Sequence, residues 1–275
     1  MTVHEWLQSA KSRLNEAGLE SPDLEAQLLA AHVLRVERHW LMAHPDEAFP
    51  DLAGESLIAR RLDREPLAYI LGWREFWNER YRVGPGVLIP RQETEVLVEA
   101  TLRRAWSLSD RQPRVLDLGT GSGCIAISIK RDAHFLRVSA SDISAAALDI
   151  AAQNATDLGV DVSFVKSDGF EAFRFDRFEL IVTNPPYIGF DEPLARELVD
   201  YEPHQALFAG PSGLEFYQRL SKEAASHLEP EGLLLMEVGY MQAQMVSDLF
   251  CSAGWQVVEK VKDLTGIDRV IVCTP

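Results

Sequence analysis

From Arg114 to Cys273 the chain alternates short apolar, β-branched runs with helical ones, and this alternation constrains the fold more than any other feature. "RVLDL" (114–118) leads through a glycine-rich turn into the helical "CIAISIKRD". "RVSASD" (137–142) leads into "SAAALDIAAQNATDLG". "DVSFVKSD" (161–168), "FELIVTN" (178–184), "GLLLMEVG" (232–239), "WQVVEK" (255–260) and "DRVIVC" (268–273) complete the set. Strands apolar along their length are buried on both faces, and helices between them supply the cover. Residues 91–275 are therefore expected to form a Rossmann-like α/β domain with a mostly parallel, seven-stranded sheet. Only "VKDLTGI" separates the last two runs, too little for a parallel crossover, so the final strand is expected to be antiparallel.

Residues 1–71 read differently. Trp6, Leu7, Ala10, Leu14 and Ala17 recur at helical spacing until Gly18 breaks the pattern. Ser21-Pro22 has the form of an N-cap followed by proline at the first helical position. Leu24, Leu28 and Ala31 continue a second stripe, "AHPDEAFPDLAGE" reads as a loop, and "LIARRLDRE" reads as a third helix. A small all-α bundle is expected. Residues 72–90 contain "WREFWNERYRVGPG", in which aromatic and polar residues alternate around "NE"; this predicts a β-hairpin linking the two domains.

The turn after the first strand is Asp117-Leu118-Gly119-Thr120-Gly121-Ser122-Gly123-Cys124. Glycines at a strand-to-helix turn allow positive φ and close approach of a ligand to the backbone. A dinucleotide fingerprint, GxGxxG, would need glycine at position 124. The DxGxGxG spacing is instead similar to the S-adenosylmethionine loop of class I methyltransferases, and there is no Walker lysine. Asp142 ends the second strand, where a carboxylate can accept both ribose hydroxyls. In the turn Asp168-Gly169-Phe170, Asp168 can accept from an adenine amino group and Phe170 can cover the ring. Each has a plainer reading: a tight turn for the glycines, a helix cap for Asp142, a turn residue for Asp168. Their recurrence at successive strand ends favours a nucleotide-type cofactor.

Asn184-Pro185-Pro186-Tyr187 follows the fourth strand. Two prolines cannot continue it, so an amide and a ring are held on a stiff turn. A planar amide or aromatic amine is a poor nucleophile because its lone pair is delocalised. The Asn184 side-chain oxygen and the Pro185 carbonyl can hold two N–H groups so that the lone pair faces an electrophilic methyl group. Both acceptors become more favourable as positive charge develops on nitrogen. Tyr187 can stack on the flat substrate group. Asn184 borders the cofactor as well as the substrate. No Ser/His/Asp set and no metal-ligand spacing stands out.

The charge balance weighs on the choice of substrate. With 27 Lys+Arg against 42 Asp+Glu, the formal net charge is −15. Nucleic-acid enzymes draw much of their affinity from phosphate neutralisation and carry a basic face; direct nucleic-acid binding is not expected here. "MTVHEWLQSAKSRL" is amphipathic and lacks an apolar h-region, so no signal peptide is expected. No run of about 18 apolar residues suggests a membrane span. Cys124, Cys251 and Cys273 are far apart and form no CxxC pair, pointing to reduced thiols, no zinc and a cytoplasmic location.

"NPPY" after "DLGTGSG" resembles two groups of amino-group methyltransferases: N6-adenine methyltransferases of DNA or RNA, and the PrmC/HemK family. "LAYILGWREFW", "VLIPRQETEVLVE" and "YEPHQALFAGPSGLEFYQRL" are similar to segments of the latter, and with the helical N-terminal region the resemblance covers most of the chain. It implies a class I methyltransferase fold and S-adenosylmethionine as cofactor. It implies N5-methylation of the glutamine in the Gly-Gly-Gln motif of class 1 peptide-chain release factors, with a monomer expected and the N-terminal bundle as a second grip on the substrate. Cofactor contacts map to Asp117, Gly119, Thr120, Gly121, Ser122, Gly123, Asp142, Asp168, Gly169 and Phe170. Substrate contacts map to Asn184, Pro185, Pro186 and Tyr187, with Asn184, Pro185 and Tyr187 as the catalytic set. Gln92 stands where the family usually has proline, and Gly169 where it often has tryptophan. Arg91, Glu93 and Glu95 either shape the cofactor entrance or form a charged helix start that suits the helix dipole. A protein that retains the cofactor pocket without catalysis is the third reading.

Overall fold

The apolar spacing at the start of the chain gives the helix it predicts, α1 (Val3–Glu16), which buries Val3, Trp6, Ala10 and Leu14. Thr2 and Glu5 close a capping box at its start: Thr2 Oγ1 accepts from Glu5 N (3.2 Å), and Glu5 Oε2 accepts from Thr2 N (2.8 Å). The computed structural model describes residues 1–109 and 112–275. Met1–Trp73 with Ala195–Tyr201 form one unit, and Arg74–Leu194 with Glu202–Pro275 form another.

In the first unit α2 (Pro22–Leu34) begins at the expected proline, although Ser21 makes no side-chain cap. α3 (Arg38–Ala43), α4 (Asp51–Leu62) and α5 (Leu67–Leu71) follow. The expected loop is thus shorter than its sequence suggested, because "DLAG" belongs to α4. Trp6, Leu14, Leu29 and Ile58 are fully buried at the centre, with Trp6 stacked on Phe49 at 4.4 Å. A charged residue lies among them. Arg61 is 7% exposed, and its Nε donates to Glu25 Oε2 at 2.7 Å. Glu197, from the returning segment, stands 3.6 Å from Arg61 and 3.4 Å from Arg64.

The second unit opens with a hairpin, β1 (Trp73–Phe76) and β2 (Glu79–Arg82). Trp77 and Asn78 at the turn both have positive φ, 49° and 60°, as a tight two-residue hairpin loop requires. α6 (Glu95–Trp106), β3 (Arg114–Leu118), α7 (Cys124–Asp132), β4 (Arg137–Asp142), α8 (Ala145–Leu158), β5 (Ser163–Lys166) and β6 (Phe178–Thr183) come next. After them come β7 (Ile188–Gly189), α9 (Arg196–Tyr201), α10 (His204–Leu207), β8 (Phe208–Gly210), α11 (Glu215–Glu223), β9 (Leu228–Glu237), α12 (Ala243–Ser252), β10 (Gln256–Lys262) and β11 (Asp268–Thr274); α9 belongs to the first unit. The main sheet runs β10-β11-β9-β6-β3-β4-β5. β11 is antiparallel to both neighbours, and the pairs from β9 to β5 are parallel, as the short last connection predicted.

Apolar clusters cover both faces of the sheet, one around Leu97, Ile127 and Val182, the other around Phe178, Tyr217 and Phe250. β3 and β6 are direct neighbours, with Asp117 in register with Val182. The turns that leave their C-terminal ends are therefore adjacent, where open α/β sheets place ligands. Among the described residues no helix is long and apolar enough to cross a membrane.

Candidate active site

The glycine turn leaves β3 with Gly119, Gly121 and Gly123 at φ +77°, +55° and +81°. Gly119 N and Thr120 N both donate to Ser141 O at 2.8 Å, which folds the turn back over the end of β4. Gly123 is required by space as well as by φ: a Cβ there would stand 2.9 Å from Ile127 Cδ1 and 3.0 Å from Ala151 Cβ. Nothing within 4 Å would meet a Cβ at Gly119 or Gly121, so that side of the turn is open to a ligand. Buried Asn154 supports the turn from below. Its Nδ2 donates to Ser122 O (2.8 Å) and to Arg82 O (3.1 Å), and its Oδ1 accepts from Arg82 N (2.7 Å), so the hairpin braces the loop.

Asp117 is fully buried beneath the turn. It accepts from Thr120 Oγ1 at 2.6 Å and from Ala126 N at 3.2 Å, while its Oδ1 has no partner among the described residues. Burial pushes its carboxyl up to about 7, against the pull of those hydrogen bonds. The buried Ser122 and Ser141 hydroxyls are likewise unpartnered. Open glycines above an incompletely bonded polar floor suit a polar cofactor with hydroxyl and amino groups.

Both carboxylate oxygens of Asp142 accept from backbone N–H groups, and the helix cap weighed for it from sequence is Ser144 instead. Its Oδ2 accepts from Gly121 N (2.9 Å) and its Oδ1 from Ser144 N (2.9 Å), so it ties the glycine turn to the start of α8. Ser144 itself caps that helix by accepting from Ala147 N. Asp142→Ala is expected to weaken cofactor affinity about tenfold by calorimetry, since bonds to a charged acceptor are lost and the turn loosens. Unchanged affinity would leave Asp142 a helix-start residue only.

A cavity of about 480 Å³ opens beside β4 and β5, with Ile143, Lys166, Ser167 and Asp168 in its wall. Ile143 is 52% exposed, an apolar face that sequence reasoning did not select although it directly follows the strand-end acid. Asp168 is ion-paired with Arg219 of α11, which also reaches Glu223 at 3.0 Å. Gly169 explains the arrangement. A Cβ there would fall 2.5 Å from Arg219 Nη2, so the guanidinium occupies the space of a side chain at this position. Phe170 is 5% exposed and stacks on His227 at 4.4 Å with 5° between ring planes. One of its faces is thus taken by the protein.

The strand-end tetrapeptide sits beside the glycine turn. Thr183 Oγ1 donates to Leu118 O at 2.7 Å, clamping the last residues of β6 and β3 together. Asn184 is half-buried, and its Nδ2 donates to Thr94 Oγ1 at 3.1 Å, which leaves Oδ1 as its available group. Pro185 is buried and Pro186 half-buried. Tyr187 is held through its backbone: Gln242 Nε2 donates to Tyr187 O at 2.8 Å, and Gln242 Oε1 accepts from Gly239 N at 3.1 Å. Burial pushes the Tyr187 hydroxyl up to about 12, which makes it a neutral wall and not a base. Glu237, at the end of β9, is 2% exposed and pushed up to about 7 by burial, against the pull of the nearby Thr94 hydroxyl and of the Arg269 charge.

Sequence reasoning missed Thr94, Glu237 and Gln242, which lie outside the two motifs. Arg91 and Glu95, weighed for the cofactor entrance, make structural bonds. Arg91 Nη2 donates to buried Glu202 (2.6 Å), and Glu95 Oε1 accepts from Trp77 N (2.9 Å). Glu93 lies in the turn between them.

Known proteins share these features. Residues 5–72 match the PrmC N-terminal domain family and residues 92–200 the Methyltransferase small domain family. A release factor glutamine methyltransferase of Bordetella pertussis is 44% identical over 94% of this chain and 97% of its own length. One of Koribacter versatilis is 41% identical over 99% of this chain and 98% of its own. A bifunctional methyltransferase of Rickettsia felis is 35% identical over 100% of this chain, which spans 58% of that protein's length. A ribosomal protein L11 methylase of Lactobacillus delbrueckii subsp. bulgaricus shares the fold, with a TM-score of 0.50 and 22% identity over 67% of this chain and 79% of its own.

Proposed function

The chain belongs to the release factor glutamine methyltransferase family, and from that membership we propose that it methylates N5 of the glutamine in the Gly-Gly-Gln motif of class 1 peptide-chain release factors. The observation that carries the proposal is the Thr183–Leu118 clamp, which sets Asn184 and the glycine turn side by side.

The protein's part in the reaction is mostly binding and orientation. Gly119, Gly121 and Asp142, over the Asp117 Oδ1 and Ser122 hydroxyl that have no partner among the described residues, suit S-adenosylmethionine. When bound, that cofactor supplies an electrophilic methyl group. Asn184 Oδ1 and the Pro185 carbonyl accept the two N–H groups of the glutamine amide and turn its lone pair out of conjugation. Both acceptors gain strength as the nitrogen becomes positive, so they favour the transition state over the ground state. The proline pair holds those acceptors without reorganisation, and Tyr187 covers the amide plane. The methylated nitrogen releases a proton readily, so no strong base is required.

Residues 1–71 are proposed as the second grip on the release factor, and the enzyme is proposed to act as a monomer in the cytoplasm. Methyl-labelled cofactor, offered with a release factor and separately with DNA and RNA, tests the substrate. Label is expected in the Gly-Gly-Gln glutamine. Label confined to nucleic acid would overturn the proposal in favour of adenine methylation.

A further inference from the structure

We propose that Gln242 is a positioning residue for methyl transfer: it mounts Tyr187, so that the ring stands where it covers the substrate amide. The inference rests on the assignment of the tetrapeptide to the substrate glutamine and goes beneath it, to what holds the ring.

A side chain is set in place when the peptide planes on both sides of its Cα are held. The two prolines stiffen the backbone on the amino side of Tyr187. They do nothing for the plane that follows it. There the Tyr187 carbonyl accepts from Gln242 Nε2 at 2.8 Å. Gln242 Oε1 in turn accepts from Gly239 N at 3.1 Å, and Gln242 N donates to Gly239 O at 3.0 Å. The side-chain amide thus uses both of its ends, and its orientation is settled: the oxygen faces an N–H and the amino group faces a carbonyl.

Two glycines make room for this tether. A Cβ on Gly239 would stand 2.9 Å from Tyr187 Cδ2 and 2.6 Å from Gln242 Oε1. The Tyr187 ring therefore rests on the backbone of the same turn that Gln242 closes. A Cβ on Gly213 would stand 2.5 Å from Tyr187 O and 3.2 Å from Gln242 Nε2. The tether and the carbonyl it holds are seated against bare backbone too.

Helix formation does not account for Gln242. It is the N-cap of α12, where Ser, Thr, Asp or Asn would bond the first turn through the side chain. The Gln242 side chain makes no such bond. Met241, just before it, is 75% exposed and holds a φ of 65°, a backbone state that is strained outside glycine and gathers at functional sites. The chain forgoes a helix cap and carries strain at one turn, and the side chain is spent on Tyr187. Gln242 is 8% exposed, which limits solvent access to either of its bonds.

The test is steady-state methylation of intact release factor, with calorimetry of S-adenosylmethionine binding and a double-mutant cycle. Gln242→Met keeps the length of the side chain and removes both of its hydrogen bonds. It is expected to lower kcat by about 10–100-fold, up to the scale of a misplacement of about 1 Å. KM for the release factor and affinity for the cofactor should stay within about threefold, since the loss falls on orientation in the transition state. Tyr187→Ala removes the wall outright. In that background Gln242→Met should change kcat by less than about twofold, because the two residues act as one unit. Parental kcat in Gln242→Met would overturn the proposal. So would a full loss repeated in the Tyr187→Ala background, or a fall in cofactor affinity as large as the fall in kcat, either of which would make Gln242 a residue of the fold alone. The functional assignment survives all three results. An unsubstituted enzyme that leaves release factor unlabelled would overturn that assignment and the tether together.

Discussion

Asn184→Ala is expected to slow methyl transfer by about 10²–10³-fold, the scale of losing one preorganised polar contact to a developing charge. The effect should fall on the chemical step. Asn184 Oδ1 is one of two acceptors proposed for the substrate amide, and alanine leaves one N–H of a poorly nucleophilic nitrogen without guidance. Cofactor affinity should be nearly unchanged, because the turn and acids that suit S-adenosylmethionine are held by other bonds, Gly121 to Asp142 and Gly119 to Ser141 among them. Single-turnover transfer to a release factor, with calorimetry of cofactor binding alongside, separates the two quantities. Transfer at the parental rate would reduce the tetrapeptide to a proline-stiffened turn.

Arg61→Ala is expected to destabilise the first unit by about 2–3 kcal/mol. Breaking a buried ion pair costs about 3–5 kcal/mol because the partner charge remains buried. Here Glu25 keeps 13% side-chain exposure and Glu197 24%, and Arg64 still faces Glu197, so the lower figure applies. For a unit of this size the unfolding midpoint should fall by on the order of 10 °C. Hydrogen exchange within residues 1–73 isolates the effect from the rest of the chain. Replacing both partners, Arg61→Met with Glu25→Leu, should recover most of the loss, since a well-packed apolar pair can substitute for a buried salt bridge. A single variant as protected as the parent would show that the pair contributes no more than an exposed one.

The sheet was legible because its strands are buried on both faces and bounded by helices, a pattern that depends on local composition. The antiparallel end followed from the length of one connection. The glycine turn and the tetrapeptide were legible because glycine and proline have backbone consequences wherever they occur. The support around the site had no such signature. Thr94 lies 90 residues from Asn184 and reads as an ordinary residue at a helix start until the fold joins them. Glu237 reads as the polar end of an apolar strand, and only register puts it beside the amide. Phe170 reads as an aromatic able to cover a ligand, and only the fold shows that His227, 57 residues later in the chain, lies flat against one of its faces. Gly169 illustrates the same limit: it adopts a φ of 56°, and the space a side chain would take is filled by an arginine on another element.

The return of Ala195–Tyr201 to the first unit has a consequence for how the chain matures during synthesis. Glu197 supplies the acidic partner of Arg64, so a ribosome must pass residue 201 before the amino-terminal helices have all their neighbours. The bundle is encoded first yet finished after the glycine turn and the tetrapeptide have been made. Growing chains generally fold a leading domain as soon as it emerges. Here that domain should stay incompletely protected until most of the catalytic sheet is already outside the exit tunnel, with closure tied to contacts of long sequence separation.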